Sequence, residues 1–200
     1  PSSSSYPVFY YDDIESLPES LKSLIYRDRD YDEYEKEWTM LPWQIRSYYG
    51  AISQIDHQIG KTLAELDQLG LRKNTIIIFT SDHGDFLLEH GIKDKNAFYE
   101  AAVHVTFMIS LPNVIKPGLY DDLTESVDLL SSLFDLCDLD VPRSNQGNSF
   151  APLITAGEKG RSYFSREYVH AENIIPEVIT DGDFDYAFHR GDGIKGIRHP

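Results

Sequence analysis

A short apolar run that breaks into a turn of carboxylates and an imidazole sets what this chain can become. Ile76, Ile77, Ile78 and Phe79 follow one another without interruption. Such a β-branched run, closed by a polar break, reads as a strand buried on both faces. At its carboxyl end stand Thr80, Ser81, Asp82, His83, Gly84 and Asp85. Open α/β sheets bind ligands just beyond the carboxyl ends of their strands. A second polar cluster, Glu89, His90, Lys93, Asp94 and Lys95, follows within the same stretch. The segment from Thr75 to His104 is therefore the expected working edge of the protein.

The flanking sequence supports an α/β arrangement. Over residues 43–69, Ile45, Tyr49, Ile52, Ile55, Ile59, Leu63 and Leu66 step by three or four and form one apolar stripe, with Gly70 as a stop. A helix followed at once by a strand is an αβ unit. His57 sits off the centre of the stripe and reads as a surface histidine. Residues 84–98 hold two glycines and no clear period, and read as the active loop. From 103 to 111 the residues alternate, with Val103, Val105, Phe107, Ile109 and Leu111 on one face, which predicts a strand. Asp122 and Glu125 have capping-box spacing before a helix whose buried face is Leu123, Val127, Leu130 and Phe134. Cys137 beside Leu136 reads as a small buried hydrophobe rather than a reactive thiol. Residues 142–160 are turn-rich. Strands are expected near Tyr163 to Tyr168 and over Gly193 to Arg198, with a loop or hairpin at 181–192.

Residues 1–44 are rich in Tyr, Pro, Ser and acidic residues, with weak periodicity. They read as an irregular segment packed on the domain by its aromatics, or as a lid or pocket wall. The expected organisation is thus 1–44 irregular, 45–160 the α/β body, and 161–200 the start of a strand and loop region.

The net charge of −15 argues against a nucleic-acid surface, which needs clustered Lys and Arg. A hydrophobic fraction of 41% allows a sizeable core. One cysteine excludes an internal disulfide. No stretch approaches the roughly 20 apolar residues of a membrane span, and no leader-like run opens the chain. The chain begins without Met on a loop-like segment, which suggests a fragment, a processed form or an engineered piece.

At a strand end, where the chain turns, Asp82 and His83 can reach one ion. Carboxylate oxygen suits hard cations, and imidazole widens the choice. Gly84 permits close backbone approach or a positive φ. Lys95, with Lys93 as its competitor, offers a point charge for an anionic oxygen. Two ligands do not complete a metal site, so others must come from elsewhere in the chain.

Taken in order, several motifs resemble the sulfatases of the alkaline phosphatase superfamily. They are Arg46-Ser47-Tyr48-Tyr49-Gly50-Ala51-Ile52, Ile55-Asp56 with Ile59-Gly60, Thr75 through Asp85, Glu89-His90-Gly91, Lys95, Phe98-Tyr99-Glu100 and His104-Val105. Ser126-Val127-Asp128-Leu129-Leu130, Leu139-Asp140-Val141-Pro142, Gly147 through Leu153, and Gly193 through Arg198 continue the likeness. It covers most of residues 42–200. No single motif is specific, but their order is.

The resemblance implies an alkaline-phosphatase-like α/β fold with a mixed, largely parallel sheet flanked by helices. It implies hydrolysis of sulfate esters, with Asp82 and His83 as ligands of a divalent cation, most often Ca²⁺. It implies that Lys95 contacts the sulfate, and it leaves His90 as a candidate for proton transfer; Glu100 and His104 are assigned to structure. The family's nucleophile is a formylglycine made from a Cys/Ser-x-Pro-x-Arg motif, and no such motif occurs here. The chain therefore resembles the later part of a sulfatase, with the nucleophile and the other metal ligands expected in a preceding half of the same domain. Thr106 stands where the family often has Pro, and Leu88 where it often has Gly. The implied substrate is a sulfated small molecule or glycan, and the implied location is periplasmic, secreted or lysosomal. Two alternatives stay open: a phosphonate or phosphate ester hydrolase of the same superfamily, and a non-catalytic module that binds acidic glycans.

Overall fold

The structure, a computed structural model, describes residues 22, 31–164, 166, 168–172, 184–189 and 193–198, with side chains set out mainly from residue 39 onward. Most of the aromatic-rich stretch, 1–21 and 23–30, lies outside the described residues, as do 181–183 and 190–192 of the expected hairpin. The chain divides into two compact units. Among the described residues, the first joins those up to Leu71 with His83–Thr106; the second joins Arg72–Asp82 with those between Phe107 and Glu172, 184–189 and 193–198.

The first unit is led by helix α1, Tyr31–Gln68. It begins well before residue 43, so the last part of the irregular segment is helical. The helix carries Pro42 inside it, a residue that weakens local pattern because it cannot donate a backbone hydrogen bond. The expected apolar stripe is present but unevenly covered. Ile45, Ile59, Leu63 and Leu66 are half-buried, whereas Tyr49, Ile52 and Ile55 are exposed. His57 lies on the exposed surface, as read. Leu71 N–H closes the helix end on Leu66 O at 2.9 Å, with Gly70 in the left-handed conformation at φ 70°.

Residues 83–106 complete the described part of this unit. Phe86, Ile92, Ala97 and Ala102 form a small buried cluster, with Tyr99 and Ala101 against it. The predicted strand at 103–111 is shorter than its alternation. Helix α2, Glu100–Val103, takes its first residues, because His104 N–H donates to Glu100 O at 2.9 Å and continues the helical turn.

The second unit contains strands β1, Ile77–Thr80, and β2, Phe107–Ser110, paired antiparallel with Ile78 opposite Ile109. The strand β1 is half-buried rather than buried on both faces. Burial along β2 does not follow the predicted alternation: Phe107 and Met108 are both exposed and Ile109 and Ser110 half-buried, although Phe107 lies edge-on to Phe150 at 5.5 Å and Ile109 packs on the same core. Strands β3 (Tyr168–Glu172), β4 (Phe184–His189) and β5 (Gly193–Arg198) make a second antiparallel sheet in the order β3-β4-β5. The last strand falls where expected. β4 forms within the stretch read as loop or hairpin and pairs with β5 as a hairpin does. β3 begins at Tyr168, where the predicted strand ended. All strand pairs among the described residues are antiparallel, so the parallel part of the expected sheet is not among them.

Helix α3 spans Asp128–Leu136, and its buried face differs from the predicted one. Val127 and Leu130 are exposed, while Asp128 is 0%, Ser131 2% and Ser132 0% exposed. Counting only apolar residues at helical spacing misplaced the face, because the buried side chains are polar and fully hydrogen-bonded. Leu129 and Leu136 reach the main core of this unit, formed by Phe150, Leu153, Ile154 and Phe164. Cys137, one step past Leu136, is exposed, which corrects the expectation of a buried thiol. The capping arrangement is displaced by three residues. Glu125 N–H donates to Asp128 Oδ2 at 2.8 Å, whereas Asp122 pairs with Arg161 at 2.9 Å. In the turn-rich region, Ala151–Ala156 forms helix α4 and Glu158–Arg161 forms helix α5, separated by Gly157 at φ 64°.

Ser132 ties two of these elements. Its hydroxyl donates to Asp128 O at 2.8 Å and accepts from Phe150 N–H at 2.9 Å, all buried. Ser132→Ala strands that amide and is expected to cost about 1–3 kcal/mol in urea unfolding of the full-length protein. A loss below about 0.5 kcal/mol would show that water or a rearranged loop satisfies Phe150 instead.

Candidate active site

The strand β1 delivers its polar end as the sequence implies. Thr80, Ser81 and Asp82 are exposed, and Ser81 Oγ–H donates to Asp82 Oδ1 at 3.4 Å. Asp82 is the last residue of its run in the second unit, and His83 is the first of the 83–106 segment in the other.

A backbone clamp begins that segment. Gly84 N–H donates to Ala102 O at 2.8 Å. A Cβ on Gly84 would stand 1.8 Å from Ala101 O and 2.9 Å from Ala101 C. The glycine is therefore required by close approach; it is not among the positive-φ glycines. Its carbonyl in turn holds His83, whose Nδ1 lies 2.8 Å from Gly84 O. A carbonyl only accepts, so Nδ1 carries the proton and Nε2 carries the lone pair. That lone pair faces Lys95, whose Nζ is 2.5 Å away. An ammonium only donates, so both contacts demand the same tautomer.

The loop between His83 and Lys95 is held in an unusual backbone path. Leu87, Leu88, His90 and Asp94 all have φ between 46° and 68°. Left-handed backbone is costly for residues with a Cβ and persists only where the surroundings dictate it. Here Phe86, Leu88 and Ile92 are each about 1% exposed or less. Leu87 N–H donates to Asp85 Oδ1, and Phe86 N–H to Asp94 O, both at 2.8 Å. Leu88, at φ 68°, adopts a conformation open to glycine without cost, and its buried side chain offsets the difference.

The structure joins two of the four predicted site residues directly, His83 and Lys95. Asp82 is engaged with Ser81. His90 stacks on Tyr99, ring centres 3.9 Å apart and 11° from parallel, and Phe86 meets the same tyrosine edge-on at 6.0 Å. Glu100 and His104 pair with each other at 3.0 Å on the surface. Sequence reasoning missed Tyr99 as the ring under His90 and the Ala101–Ala102 backbone as the other half of the glycine clamp. No local signal marks either, since both depend on the chain doubling back.

Among the described residues no group of three or more His, Cys, Asp or Glu side chains could hold a metal ion. Imidazole and carboxylate are donor types that divalent cations take. The lone pair of His83 Nε2 faces a positively charged group, and the preceding residue supplies a carboxylate.

Comparison with known proteins agrees with the motif order. The Sulfatase family profile matches residues 6–139. An endo-4-O-sulfatase of Bacteroides thetaiotaomicron is 32% identical over 158 residues, 78% of this chain and 31% of that protein. An arylsulfatase of Clostridium perfringens is 32% identical over 197 residues, 88% of this chain and 40% of that protein. The chain thus spans less than half the length of these curated relatives. Among solved structures, one from work on glycosaminoglycan metabolism by Bacteroides thetaiotaomicron aligns with a TM-score of 0.65 at 23% identity, over 92% of this chain and 40% of that one. A phosphonate monoester hydrolase from Silicibacter pomeroyi aligns at 0.56 and 25%, over 71% and 31%. The fold is the α/β fold of these sulfatases.

Proposed function

The chain belongs to the sulfatase family, and on that premise we propose that it supplies one side of the active site of a sulfuric ester hydrolase. Asp82 and His83 are its contribution to the cation site, with Ca²⁺ the expected ion, and Lys95 is its contact for the sulfate. The observation that supports this most is the lone pair of His83 Nε2, fixed by Gly84 O and turned toward a cationic group.

A bound divalent cation supplies neutralisation of the ester's anionic oxygens. The chain's own part is orientation and charge. Gly84 O holds the His83 tautomer, so the ring can offer only Nε2. The Asp82 carboxylate offers oxygen to a hard cation. Lys95 brings a compact positive charge to oxygens that gain charge as the ester bond breaks. His90, stacked on Tyr99, is a candidate to move a proton to or from the leaving group. The attacking nucleophile is not among these 200 residues, which contain no Cys/Ser-x-Pro-x-Arg stretch. A polypeptide of these residues alone is expected to be inactive, and the preceding half of the domain is the partner it needs.

The substrate class is a sulfated small molecule or glycan, supported by relatives known as an endo-4-O-sulfatase and an arylsulfatase. Such enzymes fit a location outside the cytoplasm. Among the described residues no helix is long and apolar enough to cross a membrane. A second reading, phosphonate ester hydrolysis, is favoured by the likeness to phosphonate monoester hydrolases.

In the full-length protein, Asp82→Ala is expected to lower kcat/KM for an aryl sulfate by roughly 10²–10³-fold and to abolish its response to added calcium. Survival of both turnover and calcium response would remove Asp82 from the site. Assaying the unaltered protein on aryl sulfate beside aryl phosphonate separates the two readings. Faster phosphonate turnover would favour the second.

A further inference from the structure

One aromatic ring stands where the loop after His83 meets the backbone that holds Gly84. Tyr99 faces His90 with ring centres 3.9 Å apart and 11° from parallel, and Phe86 meets it edge-on at 6.0 Å. Its carbonyl opens helix α2, accepting from Ala102 N–H at 2.9 Å and Val103 N–H at 3.1 Å. Ala102 O in turn receives Gly84 N–H at 2.8 Å, and Gly84 O holds His83 Nδ1 at 2.8 Å. At the other face of the contact, His90 sits at φ 56° beside Gly91 at φ 70°. Left-handed backbone costs roughly 1–2 kcal/mol for a residue with a Cβ. What the His90 side chain meets offsets that cost: it is 12% exposed, and a ring pair contributes about 0.5–1.5 kcal/mol beyond its burial. Glu89 Oε1 lies 3.9 Å from His90 Nε2, too far for a hydrogen bond, so this carboxylate does not fix the ring plane.

We infer that Tyr99 is a positioning residue of this site: its ring sets the plane of His90, and its carbonyl starts the helix whose backbone orients His83. The inference rests on the reading of this segment as one side of a sulfuric ester hydrolase site. The ring is held between His90 and Phe86, and this fixes where the Tyr99 main chain lies and so where α2 begins. Two imidazoles are then oriented through one side chain. Loosening Tyr99 disturbs both at once, whereas a change at either histidine disturbs one. Tyr99 itself acts through these neighbours, by orientation alone, and displacements of about an ångström at such supports reach the reacting groups as large losses in rate.

Two substitutions in the full-length protein test this. Tyr99→Leu removes the ring, and Tyr99→Phe keeps it. With para-nitrophenyl sulfate as substrate, Tyr99→Leu is expected to lower kcat/KM on the order of 10²-fold. Tyr99→Phe is expected to stay within about threefold of the unaltered protein, because the stack remains. Two readings need no turnover. Modification of His90 by diethyl pyrocarbonate, followed by mass spectrometry, is expected to run roughly threefold to tenfold faster in Tyr99→Leu, the scale of one lost ring pair. Amide hydrogen exchange in the peptide containing Gly84 is expected to speed up in the same variant, because Ala102 O no longer holds its position. Neither change is expected in Tyr99→Phe. Unchanged labelling or unchanged exchange in Tyr99→Leu overturns the inference, whether or not turnover is seen. A loss in Tyr99→Phe equal to that in Tyr99→Leu also overturns it, since the hydroxyl and not the ring would then matter. Ser132→Ala, in the other unit, controls for general instability. If it lowers kcat/KM as far as Tyr99→Leu does, the positioning role falls. If the unaltered protein fails to hydrolyse the sulfate ester, the functional reading fails instead, and labelling with exchange still decides the role of Tyr99.

Discussion

Asp128→Ala is expected to destabilise the full-length protein by about 3–5 kcal/mol, the range for breaking a buried ion pair from one side. The carboxylate is wholly buried and accepts four hydrogen bonds or charged contacts. Its Oδ1 receives Asn148 N–H at 2.8 Å and Arg166 NH2 at 2.9 Å; its Oδ2 receives Glu125 N–H at 2.8 Å and Arg166 NH1 at 2.9 Å. Arg166 NH1 also lies 2.7 Å from Glu125 Oε2. The NH1 contacts have ion-pair distances without good donor alignment, so the well-aligned bond is the one from NH2. Removing the acid therefore leaves a guanidinium, its side chain 13% exposed, with Glu125 as its remaining acid, and strands two backbone amides. Arg166→Met removes only the cation and leaves the carboxylate with its amide donors, so it should cost less than Asp128→Ala. Chemical denaturation of both variants checks the order. A loss of under about 1 kcal/mol for Asp128→Ala would mean that the pair is solvated and holds nothing together.

This network also carries the connection between α3 and the 145–150 turn. Ser131 Oγ–H donates to Gly147 O at 2.6 Å and accepts from the Asn145 side-chain amide. Gly147 has no room for a side chain, because a Cβ there would lie 2.1 Å from Val127 O. A polar helix face thus works as a hydrogen-bonded joint where an apolar face would pack by shape alone.

Gly84→Ala should be the most damaging small substitution at the site. The added methyl meets backbone atoms, Ala101 O at 1.8 Å and Ala102 Cα at 3.3 Å, which cannot rotate away as a side chain would. The segments must separate by more than an ångström, and the Gly84 N–H to Ala102 O bond breaks with them. Overpacking of well-filled sites costs about 1–3 kcal/mol and more where backbone must shift. We expect a loss at or above the top of that range, together with loss of calcium response, because His83 is oriented by the carbonyl of this same glycine. Normal stability with normal calcium binding in Gly84→Ala would show that the clamp gives way freely. Gly70→Ala, where nothing lies within 4 Å of a new Cβ but φ is 70°, is a useful contrast in which only backbone strain changes.

Both results turn on atoms far apart in sequence. The apolar run at 76–79, the long helix ahead of it, the last strand and the polar cluster at 80–95 were legible because each is a local pattern of period or composition. Motif order was enough to reach the family. Legibility failed where a residue's role is set by what folds against it. Asp128 and Ser132 looked like the solvent side of α3, since burial of a polar group becomes tolerable only with partners that local spacing does not reveal. Cys137 looked buried beside Leu136, yet one helical step turned it outward. The capping box moved from Asp122 to Glu125 and Asp128 because Arg161 claimed Asp122.

By itself, the sequence determined that this is a sulfatase-family α/β chain and marked Asp82, His83 and Lys95 as the side chains proposed to carry its chemistry. Local covalent order is enough for that, because a strand end must present the residues that follow it. Tertiary structure alone decided that Gly84 is needed for space, that Gly84 O selects the His83 tautomer, and that Lys95, twelve residues away, rests on the remaining lone pair. Those outcomes depend on distances between chain segments, and hydrogen-bond geometry falls off within a few tenths of an ångström, finer than any sequence period can specify.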